Sequence, residues 1–164
     1  MSIIYTRARK HNIQGILDLI QPYVEAGAVL PRTTNDILEH LDNFFVAKVI
    51  KDGQTIEERS KVVGCVALRD FGDGLEEIRT LCVHADYAGQ GVASHLIDMC
   101  FDLAIGRDSK EIFALSLRPT VFMRKGFHNV AMNQLPDKVW KDDQVSSPDE
   151  KAVILATRDS YLPE

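Results

Sequence analysis

The chain has 164 residues, of which 45% are hydrophobic and 26% are charged. These values are typical of a soluble globular protein with one domain over residues 1–164, and they exclude a disordered chain or a fibrous repeat. The net charge of −5 disfavours general binding to nucleic acid or to an anionic membrane. No stretch approaches the roughly 18 consecutive apolar residues of a membrane span, and the start "MSIIYTRARKHN" lacks the apolar core of a signal peptide. We therefore expect a cytoplasmic protein.

The first half of the chain predicts a strand, two helices and two further strands. The strand is "SIIYTRA", and the helices are "HNIQGILDLIQPYVEAG" and "TTNDILEHLDNF", the second capped by Thr34 or Asn35. The apolar, β-branched runs "FFVAKVI" and "KVVGCVALRDF" flank the polar "KDGQTIEERS". This arrangement predicts adjacent antiparallel strands joined by an exposed loop.

The second half predicts a strand, a glycine-rich turn, a helix and a strand in succession. These are "LEEIRTLCVH", "YAGQGVASH", a helix over 93–105, and "EIFALSL". A short helix in "TVFMRKGF" closed by Gly126, an irregular stretch anchored by Trp140, and a late strand "AVILATR" follow. A helical crossover makes its two flanking strands parallel. The predicted fold class is therefore α/β (α+β), with a central mixed, mostly antiparallel sheet.

The turn "AGQGVA" is a candidate pyrophosphate site, because it opens directly into a helix. The N-terminus of a helix carries unpaired backbone N–H groups and a partial positive charge, and glycines let a phosphate approach them closely. The P-loop pattern is absent, and the dinucleotide fingerprint lacks its third glycine. A plain tight turn is the alternative interpretation.

The three cysteines each lie among apolar neighbours, without a CxxC pair. Cys65, Cys82 and Cys100 are therefore expected to be reduced thiols in the core. This spacing predicts no metal site.

The segment "EIRTLCVHADYAGQGVASHLID", with "EIFALSL" and "VFMRKGF" downstream, resembles the GNAT N-acetyltransferase superfamily. Gly91 and Ala93 match the last two fixed positions of its acetyl-CoA motif, [R/Q]-x-x-G-x-[G/A], whereas Ala88 stands at the Arg/Gln position. The segments "VLPRTTNDI", "VVGCVAL" and "GFHNVAMNQLPDKVW" are further similar to the acetyltransferase domain of N-acetylglutamate synthase, including its short stand-alone forms. "PDEKAV" departs from the basic entry to the last strand of that family.

The resemblance implies a GNAT fold with a splayed parallel strand pair and acetyl-CoA as cofactor. In the family, backbone groups of the strand before the glycine turn hold the pantetheine arm, and the turn itself holds the pyrophosphate. The corresponding residues are Leu81, Cys82 and Val83 on the strand, and Gly89, Gln90, Gly91, Val92, Ala93 and Ser94 at the turn.

The resemblance also implies catalytic residues. Glu77 is the candidate general base, with Glu76 as a competitor, and the face that Glu77 occupies depends on whether the strand contains a one-residue bulge. Phe122 stands where most GNAT enzymes have a tyrosine that protonates the thiolate. Ser116 is the candidate replacement, although its hydroxyl could instead only bond to backbone.

A dicarboxylate acceptor requires cationic groups, and arginine binds carboxylates in a bidentate manner. The candidates for substrate binding are Arg32, which matches the family's "LPR" arginine, together with Arg79, Thr80 and Arg118. Each arginine alone could equally be a solvated surface group.

The resemblance implies acetylation of the α-amino group of L-glutamate, a step of arginine biosynthesis. The expected partner is this small-molecule substrate, with no nucleic acid or membrane, and a homodimer is possible. One alternative is a GNAT enzyme acting on another small amine or on a protein amine. A second is a non-catalytic CoA-binding or sensing module, which the departures at Ala88 and Phe122 would suit.

Overall fold

A computed structural model describes residues 2–51, 61–140 and 151–156 of the protein. They form a seven-stranded sheet in the order β1-β2-β3-β4-β5-β7-β6. The strands are β1 (Ser2–Arg7), β2 (Phe44–Ile50), β3 (Lys61–Asp70), β4 (Leu75–Val83), β5 (Glu111–Ser116), β6 (His128–Val130) and β7 (Lys151–Ala156). The helices are α1 (Ile13–Glu25), α2 (Thr34–Glu39), α3 (Val92–Gly106), α4 (Thr120–Met123) and α5 (Asp137–Trp140).

Neighbouring strands are antiparallel except for β4 and β5, which run parallel. The chain between these two strands contains α3, because a parallel pair needs a long crossover connection. The fold class expected from the sequence, a mixed and mostly antiparallel sheet with one parallel pair, is confirmed.

Helices cover both faces of the sheet, and each face has its own core. One core packs the apolar stripe of α3 against the sheet, including Leu96, Ile97 and Cys100. The other packs α1 and α2, including Ile16, Ile20 and Ile37. The spacing of these apolar residues at three or four positions explains why each segment is a helix with one buried stripe. We call these the α3 face and the α1 face.

Strand β4 contains a one-residue bulge, which was one of the two arrangements that the sequence left open. Cys65 pairs with Cys82, but Ala67 pairs with Arg79, so two steps along β3 match three along β4. Thr80 lies inside the bulge with φ = 56°, a left-handed conformation that is rare for a β-branched residue. Such strained conformations cluster at functional sites.

A few elements differ from the sequence-based expectation. Helix α2 is capped by Thr33, whose hydroxyl accepts a hydrogen bond from the Asp36 N–H at 3.0 Å, so the expected caps Thr34 and Asn35 were wrong. Strand β6 and helix α5 were not predicted, because three or four residues carry too little periodicity. The loop over 52–60 and the stretch 141–150 lie outside the described residues.

Candidate active site

The parallel strands β4 and β5 separate in the middle of the sheet. Their last paired residues are Ile78 and Ala114, whereas β4 continues to Val83. Beyond this point the sheet opens into a cavity of about 990 Å³. The residues that line it come from four regions: α1 and the chain after it, the splayed part of β4, the glycine turn with the start of α3, and the segment from the end of β5 through α4.

The glycine turn presents backbone donors to this cavity. Gly89 and Gly91 have φ angles of 76° and 82°, which favour glycine, and α3 begins at the following Val92. The first N–H groups of a helix have no intrahelical acceptor. A Cβ atom added at either glycine would meet nothing within 4 Å, so the space over the turn is open. Open space over backbone donors fits the diphosphate of a coenzyme.

Most of the expected cofactor residues lie around this cavity. Those that line it are Leu81, Val83, Gly89, Gly91, Val92, Ala93 and Ser94. Cys82 instead packs into the core of the α1 face, while Gln90 is exposed beside the turn. The bulge explains the placement on β4: Leu81 and Val83 both pack toward the α3 face and Cys82 toward the other.

Glu77, the candidate base, is buried and paired with Arg79. The Arg79 Nε–H donates to Glu77 Oε1 at 2.5 Å, and Arg79 Nη2 contacts the same oxygen. The side chains are 7% exposed for Glu77 and 11% for Arg79. Of these two residues, Arg79 lines the cavity and Glu77 does not.

Arg32 extends this cluster of charges. Its Nη2 donates to the Thr80 hydroxyl at 3.1 Å and its Nη1 to Asp36 at 3.2 Å, and its side chain is 9% exposed. Burial lowers the pKa of Arg32, and the charge of Arg79 lowers it further, whereas Asp36 and Glu77 oppose this. Two of the three candidate arginines therefore converge near Glu77 and Thr80.

A third arginine at Glu77 was missed by the sequence analysis. Arg69 on β3 is the direct cross-strand partner of Glu77. Its Cζ lies 4.9 Å from the centre of the Phe71 ring, and Arg79 Cζ lies 5.8 Å from the same ring. The sequence analysis assigned this segment only to a strand, and it is the register of β3 against β4 that brings Arg69 to Glu77.

Glu76, the competing candidate base, has a different environment. It is fully buried and does not line the cavity. Its Oε1 accepts from Arg107 Nη1 at 2.9 Å, and its Oε2 accepts from the Ser109 hydroxyl. Arg107 also donates to Asn43. Glu76 therefore ties β4 to the end of α3 rather than facing an acceptor.

Ser116 and Arg118, at and after the end of β5, also line the cavity. The Ser116 hydroxyl accepts a hydrogen bond from the backbone N–H of Arg118 at 3.0 Å. A hydroxyl that accepts one bond still has its own proton to donate. Arg118 is exposed and interacts electrostatically with Tyr23 of α1.

Tyr23 of α1 is a cavity residue that the sequence analysis did not name. Its hydroxyl donates to the Val83 carbonyl, on the splayed part of β4. Burial is the main cause that raises the pKa of Tyr23. The sequence analysis placed this segment in a helix without giving Tyr23 a role.

Two negative findings concern the described residues. None of their helices is both long and apolar enough to cross a membrane. Within the same ranges, no group of His, Cys, Asp or Glu could hold a metal ion.

The profile of the acetyltransferase (GNAT) domain matches residues 40–129, which include the splayed strands, the glycine turn and α3. The chain belongs to the GNAT acetyltransferase family. Enzymes of this family use acetyl-CoA as acetyl donor, which confirms the cofactor expected from the sequence.

Curated relatives are similar to this chain over about four fifths of its length. An uncharacterized N-acetyltransferase of Chlorobaculum tepidum is 27% identical over 135 residues, which cover 82% of this chain and 81% of that protein. An amino-acid acetyltransferase of Shewanella oneidensis is 31% identical over 134 residues, which cover 80% of this chain. The aligned part is only 28% of the length of that relative.

Solved structures share the fold. N-acetylglutamate synthase from Neisseria gonorrhoeae, complexed with coenzyme A and N-acetyl-glutamate, superposes with a TM-score of 0.81 at 24% identity. The superposition covers 96% of this chain and 35% of that one. The protein Rv2747 from Mycobacterium tuberculosis, solved with CoA, gives a TM-score of 0.78 at 20% identity and covers 93% of this chain and 98% of its own.

Proposed function

We propose that this GNAT acetyltransferase acetylates the α-amino group of L-glutamate, a reaction of arginine biosynthesis. The observation that carries the proposal is the position of Arg79 and Thr80, which line the cavity where β4 leaves β5, with Arg32 bound behind them. A concentration of buried guanidinium groups next to a thioester site suits an acceptor that carries carboxylates. The similarity to amino-acid acetyltransferases supports the same acceptor class.

The backbone of β4 and of the glycine turn would hold acetyl-CoA. The turn from Gly89 to Ser94 offers N–H groups to the diphosphate without a side-chain cation, so alanine at position 88 is compatible with binding. The splayed part of β4 offers its unpaired edge to the pantetheine arm. The coenzyme supplies a thioester carbonyl that a neutral amine can attack.

The arginines would bind and orient the acceptor. Arg79 reaches the cavity directly, and Arg32 keeps Thr80 in place through its hydroxyl while adding positive charge. Arg118 also lines the cavity, after the end of β5, and would bind the second carboxylate. Two cationic groups on different segments hold a dianion in one orientation, which positions its amino group.

Two side chains would move protons. Glu77 accepts a proton from the α-ammonium group, directly or through a water molecule, so that the nitrogen can form its bond to the acetyl carbon. The carbon–sulfur bond breaks as the amide forms, and the Ser116 hydroxyl gives its proton to the departing thiolate. Ser116 lines the cavity and its proton is not used in its bond to the Arg118 N–H.

The test is release of free CoA from acetyl-CoA against a panel of amino acids and amines. Glutamate should give the highest kcat/KM. Arg32→Ala should raise the KM for glutamate roughly 10-fold or more, because it removes a positive charge behind the acceptor site and the hydrogen bond that holds the Thr80 hydroxyl. Glu77→Gln should lower kcat roughly 100-fold or more while the chain still binds CoA.

Matched controls are available on exposed parts of the sheet. Arg7→Ala on β1 removes an arginine, and Glu111→Gln at the start of β5 removes a carboxylate, in each case away from the cavity lining. Both should leave kinetics unchanged. Equal turnover of glutamate and other acceptors would reject glutamate as the substrate and favour another amine. CoA binding without any thiol release would favour a sensing module.

A further inference from the structure

The ion pair between Arg79 and Glu77 closes off the candidate base. The guanidinium contacts Glu77 Oε1 through both Nε and Nη2, and of these two residues only Arg79 lines the cavity. An amine in the cavity therefore reaches Arg79 before it reaches the carboxylate. Direct transfer of a proton to Glu77 requires Arg79 to move aside.

Neighbouring charged groups and an aromatic ring would favour a displacement of the Arg79 side chain. Arg69 and Arg32 also lie near Glu77, and Asp36 is bound to Arg32, so three guanidinium groups are brought together beside the cavity. A carboxylate that enters the cavity therefore finds cationic groups close to Arg79. The Phe71 ring, 5.8 Å from Arg79 Cζ, offers a surface that keeps a displaced guanidinium bound.

We propose that Arg79 is a specificity-determining and positioning residue: the side-chain carboxylate of the acceptor draws the Arg79 guanidinium away from Glu77, and this exchange releases the base. The inference depends on the proposed function, because it assumes that Glu77 is the base. It goes beyond binding, since it makes the chemical step itself depend on the acceptor's charge. An acceptor without a side-chain carboxylate leaves the ion pair intact and reacts slowly even when it saturates the site.

The first experiment compares L-glutamate with L-glutamine, which has the same shape but an uncharged side chain. In the wild-type chain, kcat with glutamine should be roughly 100-fold below kcat with glutamate, the low end of what a general base contributes. Arg79→Met should raise the KM for glutamate roughly 10- to 100-fold. It should also raise kcat with glutamine, so that the ratio of the two kcat values falls toward 1.

A matched control is Arg7→Met. The Arg7 guanidinium lies 5.9 Å from the Phe45 ring, as Arg79 lies near Phe71, but Arg7 does not line the cavity. This variant should keep the wild-type ratio of kcat values. A binding role alone for Arg79 predicts that Arg79→Met raises KM and leaves this ratio unchanged, and that result would overturn the inference.

A second experiment uses only the wild-type chain, so it does not depend on the folding of a variant. The acidic limb of the pH profile of kcat reports protonation of the base. An arginine bound to a carboxylate favours its charged form, so the limb should lie at higher pH with glutamate than with glutamine. The other charged groups of the cluster are common to both measurements: Arg32 interacts electrostatically with Glu77, Asp36 is bound to Arg32, and Arg69 is the cross-strand partner of Glu77.

The outcomes separate this inference from the proposed function. If the wild-type chain does not prefer glutamate to glutamine, the acceptor assignment fails, and the exchange fails with it. If glutamate is preferred but the acidic limbs coincide, the acceptor assignment stands and the exchange at Arg79 is refuted.

Discussion

Replacing Glu76 by glutamine tests whether this buried carboxylate is structural or catalytic. Glu76 is fully buried, and its two oxygens accept from Arg107 and Ser109. Glutamine keeps the shape of the side chain and one acceptor oxygen but removes the negative charge. The Arg107 guanidinium then loses its ionic partner and keeps its bond to Asn43.

The size of the effect follows from the burial of the two partners. Breaking a fully buried ion pair costs about 3–5 kcal/mol, because a charge is left uncompensated. The Arg107 side chain is 31% exposed, so water can solvate part of the charge that remains. We therefore expect a loss of about 2–3 kcal/mol in the free energy of unfolding. For a chain of this size that corresponds to a fall in Tm of roughly 4–12 °C.

The assay pairs thermal unfolding with turnover at a temperature where the variant is folded. Glu76→Gln should lower Tm and leave kcat within about twofold of wild type, while Glu111→Gln, an exposed control, should shift stability by at most about 0.5 kcal/mol. An unchanged Tm together with a 100-fold fall in kcat would show that Glu76 is the base. That result would refute both the structural role of Glu76 and the assignment of the base to Glu77.

Two further predictions concern Ser116 and the thiols. Ser116→Ala should lower kcat roughly 100-fold, as measured by CoA release, because it removes a proton donor. The KM values for acetyl-CoA and for the acceptor should change little, because no binding contact is lost. An unchanged kcat would show that the hydroxyl only accepts its backbone hydrogen bond. All three cysteines, Cys65, Cys82 and Cys100, are buried. Burial raises the pKa of Cys100. A hydrogen bond with Cys82 raises the pKa of Cys65, and burial raises it further. None of the three should react with iodoacetamide at pH 8 until the chain unfolds, as followed by mass spectrometry, and rapid labelling of the native protein would contradict this packing.

Local sequence patterns were enough to predict most of the fold. Apolar, β-branched runs predicted the central strands β2 and β3, which are buried on both faces. Spacings of three or four residues predicted the long helices α1 and α3, which bury one stripe. The glycine turn was predictable for a different reason. Gly89 and Gly91 adopt left-handed φ angles just before α3, and such positions favour glycine, so the turn can be recognised in the sequence.

The missed residues depend on pairing between distant segments. Arg69 meets Glu77 only through the register of β3 against β4, and this register shifts at the bulge. Tyr23 reaches the Val83 carbonyl from α1, across 60 positions of sequence. Neither contact has a local periodicity, so a single sequence contains no signal for them. Only the resemblance to a family suggested that Arg32 belongs with this group.

The bulge at Thr80 connects the two halves of the proposed mechanism. Before it, Glu77 and Arg79 share the side of β4 that faces Phe71 and Arg69. After it, strict alternation would have turned Cys82 toward α3, but the extra residue turns Leu81 and Val83 there instead. One strained residue thus lets the same strand hold the acid–base cluster on one side and present its edge to the coenzyme at the splay. A left-handed φ at a β-branched residue costs about 1–3 kcal/mol, and Arg32 and Cys65 offset part of it by bonding the Thr80 hydroxyl and carbonyl.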